Sequence, residues 1–158
     1  MSAQYIYDTA PLGSLIRYSN GEPRPPERFR RKLAAWNSDN GTGRLVERYP
    51  GQVTDNYRSP AHFMLHLATY GSQGVIVMTV RRAYSVESSL NFEIIDTPKP
   101  GQVRVLTTFR DKDELRHLAA DMASAEAWMR DNPYSGMRTE IVTDADLAVL
   151  PTELRRAA

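Results

Sequence analysis

The sequence predicts an α+β fold, and three features carry that prediction. Between His62 and Phe109, runs of β-branched and aromatic residues are bounded by Gly and Pro clusters, which is the signature of strands. From Asp111 to Asp131, apolar residues recur at helical spacing. A shorter stretch, Glu27 to Asp39, repeats that spacing and is rich in Arg. The expected architecture is an antiparallel sheet of about four to six strands with a central meander over 62–109. One long helix over 111–131 packs on it, and a shorter basic amphipathic helix covers 27–39. At 158 residues a single domain is expected, able to bury roughly 68–70% of its unfolded surface without disulfide or metal.

Gln4 to Asp8 reads as a short strand and Leu15 to Tyr18 as a second. Ser19-Asn20-Gly21 is a turn, because Asn-Gly accepts positive φ cheaply. Glu22-Pro23-Arg24-Pro25-Pro26 must be extended, since a residue before proline is pushed out of the helical region. In the helix that follows, Phe29, Leu33 and Trp36 fall at i, i+4 and i+7 and form one apolar face. Asn40-Gly41 stops it. Thr42 to Tyr49 returns as a strand, and Pro50 to Pro60 is a loop.

Ser59-Pro60 has the form of a helix start, yet Phe63, Leu65 and Leu67 alternate with period two. Gly71-Ser72-Gln73-Gly74 then leads into Val75-Ile76-Val77-Met78-Thr79-Val80, the strongest β-branched run. A hairpin is therefore expected. Leu90 to Ile95 and Val103 to Phe109 complete the meander on either side of Thr97-Pro98-Lys99-Pro100-Gly101. Asp111-Lys112-Asp113-Glu114 has the form of a capping box. Leu115, Leu118, Ala119, Met122, Ala125 and Met129 form the stripe of the long helix, with Met122 at its centre, and Asn132-Pro133 ends it. Met137 to Thr143 is a final strand, followed by short helical turns over Asp144–Leu150 and Thr152–Arg156.

Composition narrows function mainly by exclusion. With no Cys there is no disulfide, no thiolate chemistry and no Cys-containing zinc site. The N-terminus lacks the basic and apolar regions of a secretory signal, and no apolar run spans a bilayer, so a cytoplasmic location is expected. Twenty basic residues against nineteen acidic ones rule out overall polyelectrolyte character. The charge is nevertheless uneven. Leu15 to Arg48 holds eight basic and four acidic residues, net +4, whereas Asp111 to Glu153 holds four basic and ten acidic, net −6.

No catalytic constellation emerges. His62 and His66 have His-x-x-x-His spacing, but on a strand their rings stand about 13 Å apart, too far to share an ion. His117 reads as a residue beside an apolar stripe. Glu47, Glu93 and Asp96 are carboxylates with no partner that spacing can fix. Gly41-Thr42-Gly43-Arg44 precedes a strand, whereas phosphate-binding glycine loops open helices. No catalytic residue, metal ligand or cofactor is expected.

The basic N-terminal stretch is the candidate site. Arg24, Arg28, Arg31 and Lys32, with Arg44 and Arg48 on an adjoining strand, would grip an acidic partner. The expected function is a non-enzymatic binding protein that meets a protein partner through charged surfaces. A bacterial mobile-element inhibitor of a nucleic-acid-handling or defence complex, of the anti-CRISPR or anti-restriction type, fits that description. Two alternatives remain open: a weakly specific nucleic-acid-binding module acting through residues 24–48, and a small enzyme whose site is assembled from scattered residues.

Overall fold

The computed structural model describes residues 1–148 and is α+β. In chain order the elements are α1 (Ala3–Thr9), β1 (Leu15–Ser19), α2 (Arg30–Asp39), β2 (Gly41–Tyr49), β3 (Gln52–Thr54) and β4 (Tyr57–Ser59). Then come β5 (His62–Ser72), β6 (Val75–Ser85), β7 (Asn91–Asp96), β8 (Val103–Phe109) and β9 (Lys112–Ala119). The last described elements are α3 (Met122–Asp131), β10 (Met137–Ile141) and a 3-10 turn, Asp144–Leu147. The turn expected over Thr152–Arg156 lies outside the described residues.

Two antiparallel sheets face each other. The larger has strand order β6-β5-β2-β1-β7 and the smaller β10-β8-β9, while β3 and β4 form a separate ribbon. On one face of the larger sheet lies α1, whose Ala3, Ile6 and Ala10 bury against Ile16, Leu45, Phe63, Leu65 and Phe92. Phe63, Tyr84 and Phe92 meet at ring separations of 5.4–5.9 Å. On the other face Val46 packs against Leu106 and Leu115, which joins the two sheets. Leu45 and Val46 are adjacent on β2, so they point to opposite faces and serve opposite cores, and a bulge at Val46 then brings Glu47 opposite Met64 and turns the rest of the strand over. Helix α3 closes the outer side of the small sheet through Ala125, Met122 and Met129 against Val103, Val105 and Ala119.

The hairpin expected over His62–Val80 is present as β5–β6. The meander continues no further. β7 crosses to the far edge of the sheet and pairs with β1, and β8 belongs to the other sheet. Gln4–Asp8 is part of a helix rather than a strand. Its buried residues, Ala3, Ile6 and Ala10, are spaced three and four apart, and Ser2 caps it by accepting from Tyr5 N–H.

The single long helix over 111–131 is replaced by β9 followed by the ten-residue α3. Arg110 and Asp111 both take positive φ, 49° and 62°, and turn β8 into β9 as a two-residue hairpin. Asp111 is thus a turn residue, not a cap. Leu115 and Ala119 are both buried four residues apart, as on one face of a helix, but a bulge at Arg116 turns them to opposite faces of β9, Leu115 towards Val46 and Ala119 towards α3. The true cap is Asp121, which accepts from Ser124 N–H at 2.7 Å. Met122 sits in the first turn of α3, half-buried, not mid-helix.

The basic helix is shorter than its periodicity suggests, starting at Arg30 with Phe29 as its N-cap, and none of its residues is fully buried. Phe29 is exposed, while Leu33 and Trp36 are half-buried. Trp36 Nε1 donates to the Glu22 carbonyl at 2.8 Å, tying the helix to the Pro-rich segment before it.

Candidate functional site

A cleft of about 480 Å³ opens where β9 and α3 face the β2–β5–β6 side of the larger sheet. Strand β2 supplies Arg44 and Val46, β5 supplies His66 and Thr69, and β6 supplies Ile76, Thr79 and Arg81. The opposite wall is Leu115 to Leu118 of β9, Trp128 of α3 and Tyr134 in the loop after it.

One wall is a stack of flat groups. The rings of His117 and Trp128 lie 4.9 Å apart and within 2° of parallel. Tyr134 continues the stack 6.2 Å beyond Trp128, tilted by 20°, and the Arg116 guanidinium lies 4.8 Å over the Tyr134 ring. α3 places Trp128 here because Ala125, one turn earlier, is small enough to seat the helix against Val103 and Val105.

The other chemistry is cationic. Arg81 contacts Glu114 at 2.5 Å and Glu47 at 3.8 Å, and Arg116 contacts Glu114 at 2.9 Å. Arg116 Nε also donates to Thr107 Oγ1 at 3.0 Å. Two carboxylates therefore serve these two guanidinium groups. Arg44 has no ion pair among the described residues; one of its N–H groups donates to the Gly13 carbonyl, which fixes its position and leaves its charge uncompensated. Arg81 Nε is buried without a hydrogen-bond partner among the described residues.

Both histidines register that excess charge. Burial pushes the His66 pKa down, and Arg81 and Arg44 push it further. Burial likewise lowers the pKa of His117, with Arg44 again contributing. Arg44 thus acts on both rings, which are neutral at pH 7. His66 Nε2 and Thr69 Oγ1 are 3.0 Å apart, a hydrogen bond that holds the His66 ring. Among the described residues no group of three or more His, Asp or Glu is placed to hold a metal ion.

The six residues picked out by sequence do not share one surface. Arg24, Arg28, Arg31 and Lys32 are exposed on α2 and the segment before it. Arg24 is 3.8 Å from Glu27, while Arg28 and Lys32 sit over the exposed Phe29 ring at 4.9 and 5.7 Å. Arg44 lies in the cleft. Arg48 is turned elsewhere by the β2 bulge and lines two smaller clefts with Leu12. Burial lowers its pKa, Tyr7 and Asp8 opposing and Arg104 reinforcing the shift.

Arg81, Arg116, Trp128 and Tyr134 escaped sequence reading, and His66 and His117 were read as structural or surface residues. Reading 112–119 as a helix hid the site, because only as a strand does this segment face β2. The glycines of Gly41-Thr42-Gly43-Arg44 prove to serve packing. A Cβ on Gly43 would stand 2.7 Å from Leu67 Cδ2 and 2.8 Å from Leu65 Cβ, so glycine is what lets β5 side chains cross β2 next to Arg44.

No curated protein and no solved structure matches this chain. A family model does match residues 1–146, a span that contains every residue of the cleft, and the chain belongs to that family, described as Uncharacterised conserved protein UCP036055.

Proposed function

We propose that the protein is a non-enzymatic binding protein whose cleft takes an anionic ligand bearing a flat ring: a nucleotide, or one nucleotide unit of a single strand. The observation that carries this reading is the Trp128–His117 stack standing opposite Arg44, which has no carboxylate partner among the described residues. Guanidinium groups match phosphate geometry, and a base would join the stack by displacing Tyr134, whose ring stands 6.2 Å from the indole against 4.9 Å for His117. The 480 Å³ volume falls among ordinary small-ligand sites, roughly 300–1,000 Å³.

Titration of the Trp128 fluorescence tests it, with Trp36→Phe removing the only other indole. Adenosine monophosphate should quench Trp128 more strongly than adenosine or inorganic phosphate alone. Trp128→Ala should weaken binding about tenfold or more, as stacking contributes roughly 1–3 kcal/mol per base. Arg44→Gln should weaken it and flatten its salt dependence. No quenching at millimolar nucleotide would exclude the reading.

A second reading keeps the protein partner, and what favours it is the solvent-facing α2 with Phe29 bare beneath Arg28 and Lys32. An acidic protein is what such a face would meet, as an inhibitor of a nucleic-acid-handling or defence complex would require. Arg28→Glu, Arg31→Glu and Lys32→Glu together should leave the melt unchanged and abolish retention on a polyglutamate column. Unchanged retention would remove α2 from consideration.

A further inference from the structure

The β5–β6 hairpin ends in an arm that the described residues leave uncovered. Gln73 and Gly74 turn it with φ of 52° and 80°, a left-handed pair whose twist matches that of the flanking strands, and the ladder reaches Ser72–Val75 with one bulge in the arm, at Val77 between the Tyr70–Met78 and Gly71–Ile76 pairs. Tyr70, Val75 and Val77 are 56%, 66% and 74% exposed, and Ile76 and Met78 about half. Successive residues of a strand point to opposite faces, so an unbroken exposed run means that both faces are bare. β6 is also the last strand of its sheet, with its outer backbone edge unpaired. Soluble proteins guard such edges with charge, proline, brevity or bulges, and of these the arm has only the Val77 bulge. Between Tyr70 and Val80 there is no charged residue and no proline.

We infer that this edge is an interaction surface for a second copy of the chain, the two β6 strands pairing antiparallel about a two-fold axis near Val77 and Met78. The sequence of the run is the first reason. Because the Val77 bulge sets Ile76 and Met78 on opposite faces, antiparallel pairing centred there puts Ile76 opposite Thr79 and Val75 opposite Val80 with each pair on one face, and Val77 opposite Met78, so the run is its own complement. Charge is the second. The same register lays Arg81 beside the second copy's Gly74 and Arg82 beside its Gln73, so the arginines of the two copies stay apart and only neutral residues meet. Area is the third. The tip side chains expose roughly 500 Å² per copy, or roughly 1,000 Å² for the pair, which is where the smallest specific interfaces lie. Such an interface gives a dimer of micromolar rather than nanomolar affinity, reinforced by the backbone ladder.

Sedimentation equilibrium of the full chain, from low micromolar to several hundred micromolar, tests this. The wild-type mass should climb from 17.9 kDa towards twice that value. Val77→Lys should hold the monomer mass throughout with an unchanged melt, because the side chain it replaces is exposed. Val53→Lys, on the equally bare β3–β4 ribbon, should dimerise as the wild type does. A wild-type chain that stays monomeric across the range would overturn the inference. So would a Val77→Lys chain that dimerises normally, or a dimer abolished by Val53→Lys instead.

Discussion

Val75–Val80 and Val103–Phe109 are the two runs in which β-branched residues are densest, and they have opposite fates. Val103 to Thr107 are all buried, whereas Val75 to Thr79 are all exposed. Local geometry does not separate them. Each adjoins a two-residue turn with both central residues at positive φ, Gln73-Gly74 in one case and Arg110-Asp111 in the other. Position does. β8 is the middle strand of its sheet, between β10 and β9 and under α3, while β6 is an edge strand with none of the described residues laid over its outer half. A β-branched run therefore specifies a strand, and its neighbours decide whether it is core.

The contrast breaks most visibly under one substitution made in both runs. Val105→Asp should unfold the protein, because an unpaired buried carboxylate costs several kcal/mol against a total stability of about 5–15 kcal/mol. A folded Val105→Asp chain, read by circular dichroism, would mean that β8 is not core. The two turns give the next effect. Replacing Arg110-Asp111 by Asn-Gly should stabilise by about 1 kcal/mol in urea unfolding, since Gly has no Cβ to strain and Asn tolerates left-handed backbone better than Arg. The same pair placed at Gln73-Gly74 should do less, as glycine is already there. Val77→Asp should move stability by no more than about 0.5 kcal/mol, the ordinary range for an exposed site.

The smallest effect is a pH dependence. A histidine stands beside each run, His66 on β5 next to β6 and His117 paired with Val105 of β8. Burial lowers both pKa values in the folded state, so the unfolded chain binds more protons once the pH falls below about 6.5. Stability should therefore hold above that value and decline as the pH drops towards 5, with slope removed by His66→Gln and His117→Gln together. Asp121 and Asp146, held low by hydrogen bonds from Ser124 and Thr143, act in a separate window, their contribution lost only as the pH falls below 3.8. A thermal melt series checks both windows.

What was legible in the sequence was local. Alternation of Phe63, Leu65 and Leu67 identified β5 against the helix-like Ser59-Pro60, and the runs after Gly74 and Gly101 are the strands they promised to be. The failures are of pairing and of ambiguous period. Nothing local tells that β7 will join β1, whose Tyr18 pairs with Phe92 from the far end of the hairpin region. Leu115 and Ala119 keep helical spacing although a bulge at Arg116 sets them on opposite faces of β9, and the turn that marks the strand uses Arg and Asp where sequence rules expect Asn and Gly. The cleft inherited that failure, because Arg44, Arg81 and Trp128 come together only once β9 faces β2.

The central claim, that the cleft and not the basic helix is the binding site, is tested most directly by ¹H–¹⁵N nuclear magnetic resonance with adenosine monophosphate titrated into the labelled chain. The account predicts that shifts concentrate on Thr79, Arg116, His117 and the Trp128 indole N–H, while Arg28 to Lys32 stay in place. Shifts confined to α2, or none at millimolar nucleotide, would contradict it.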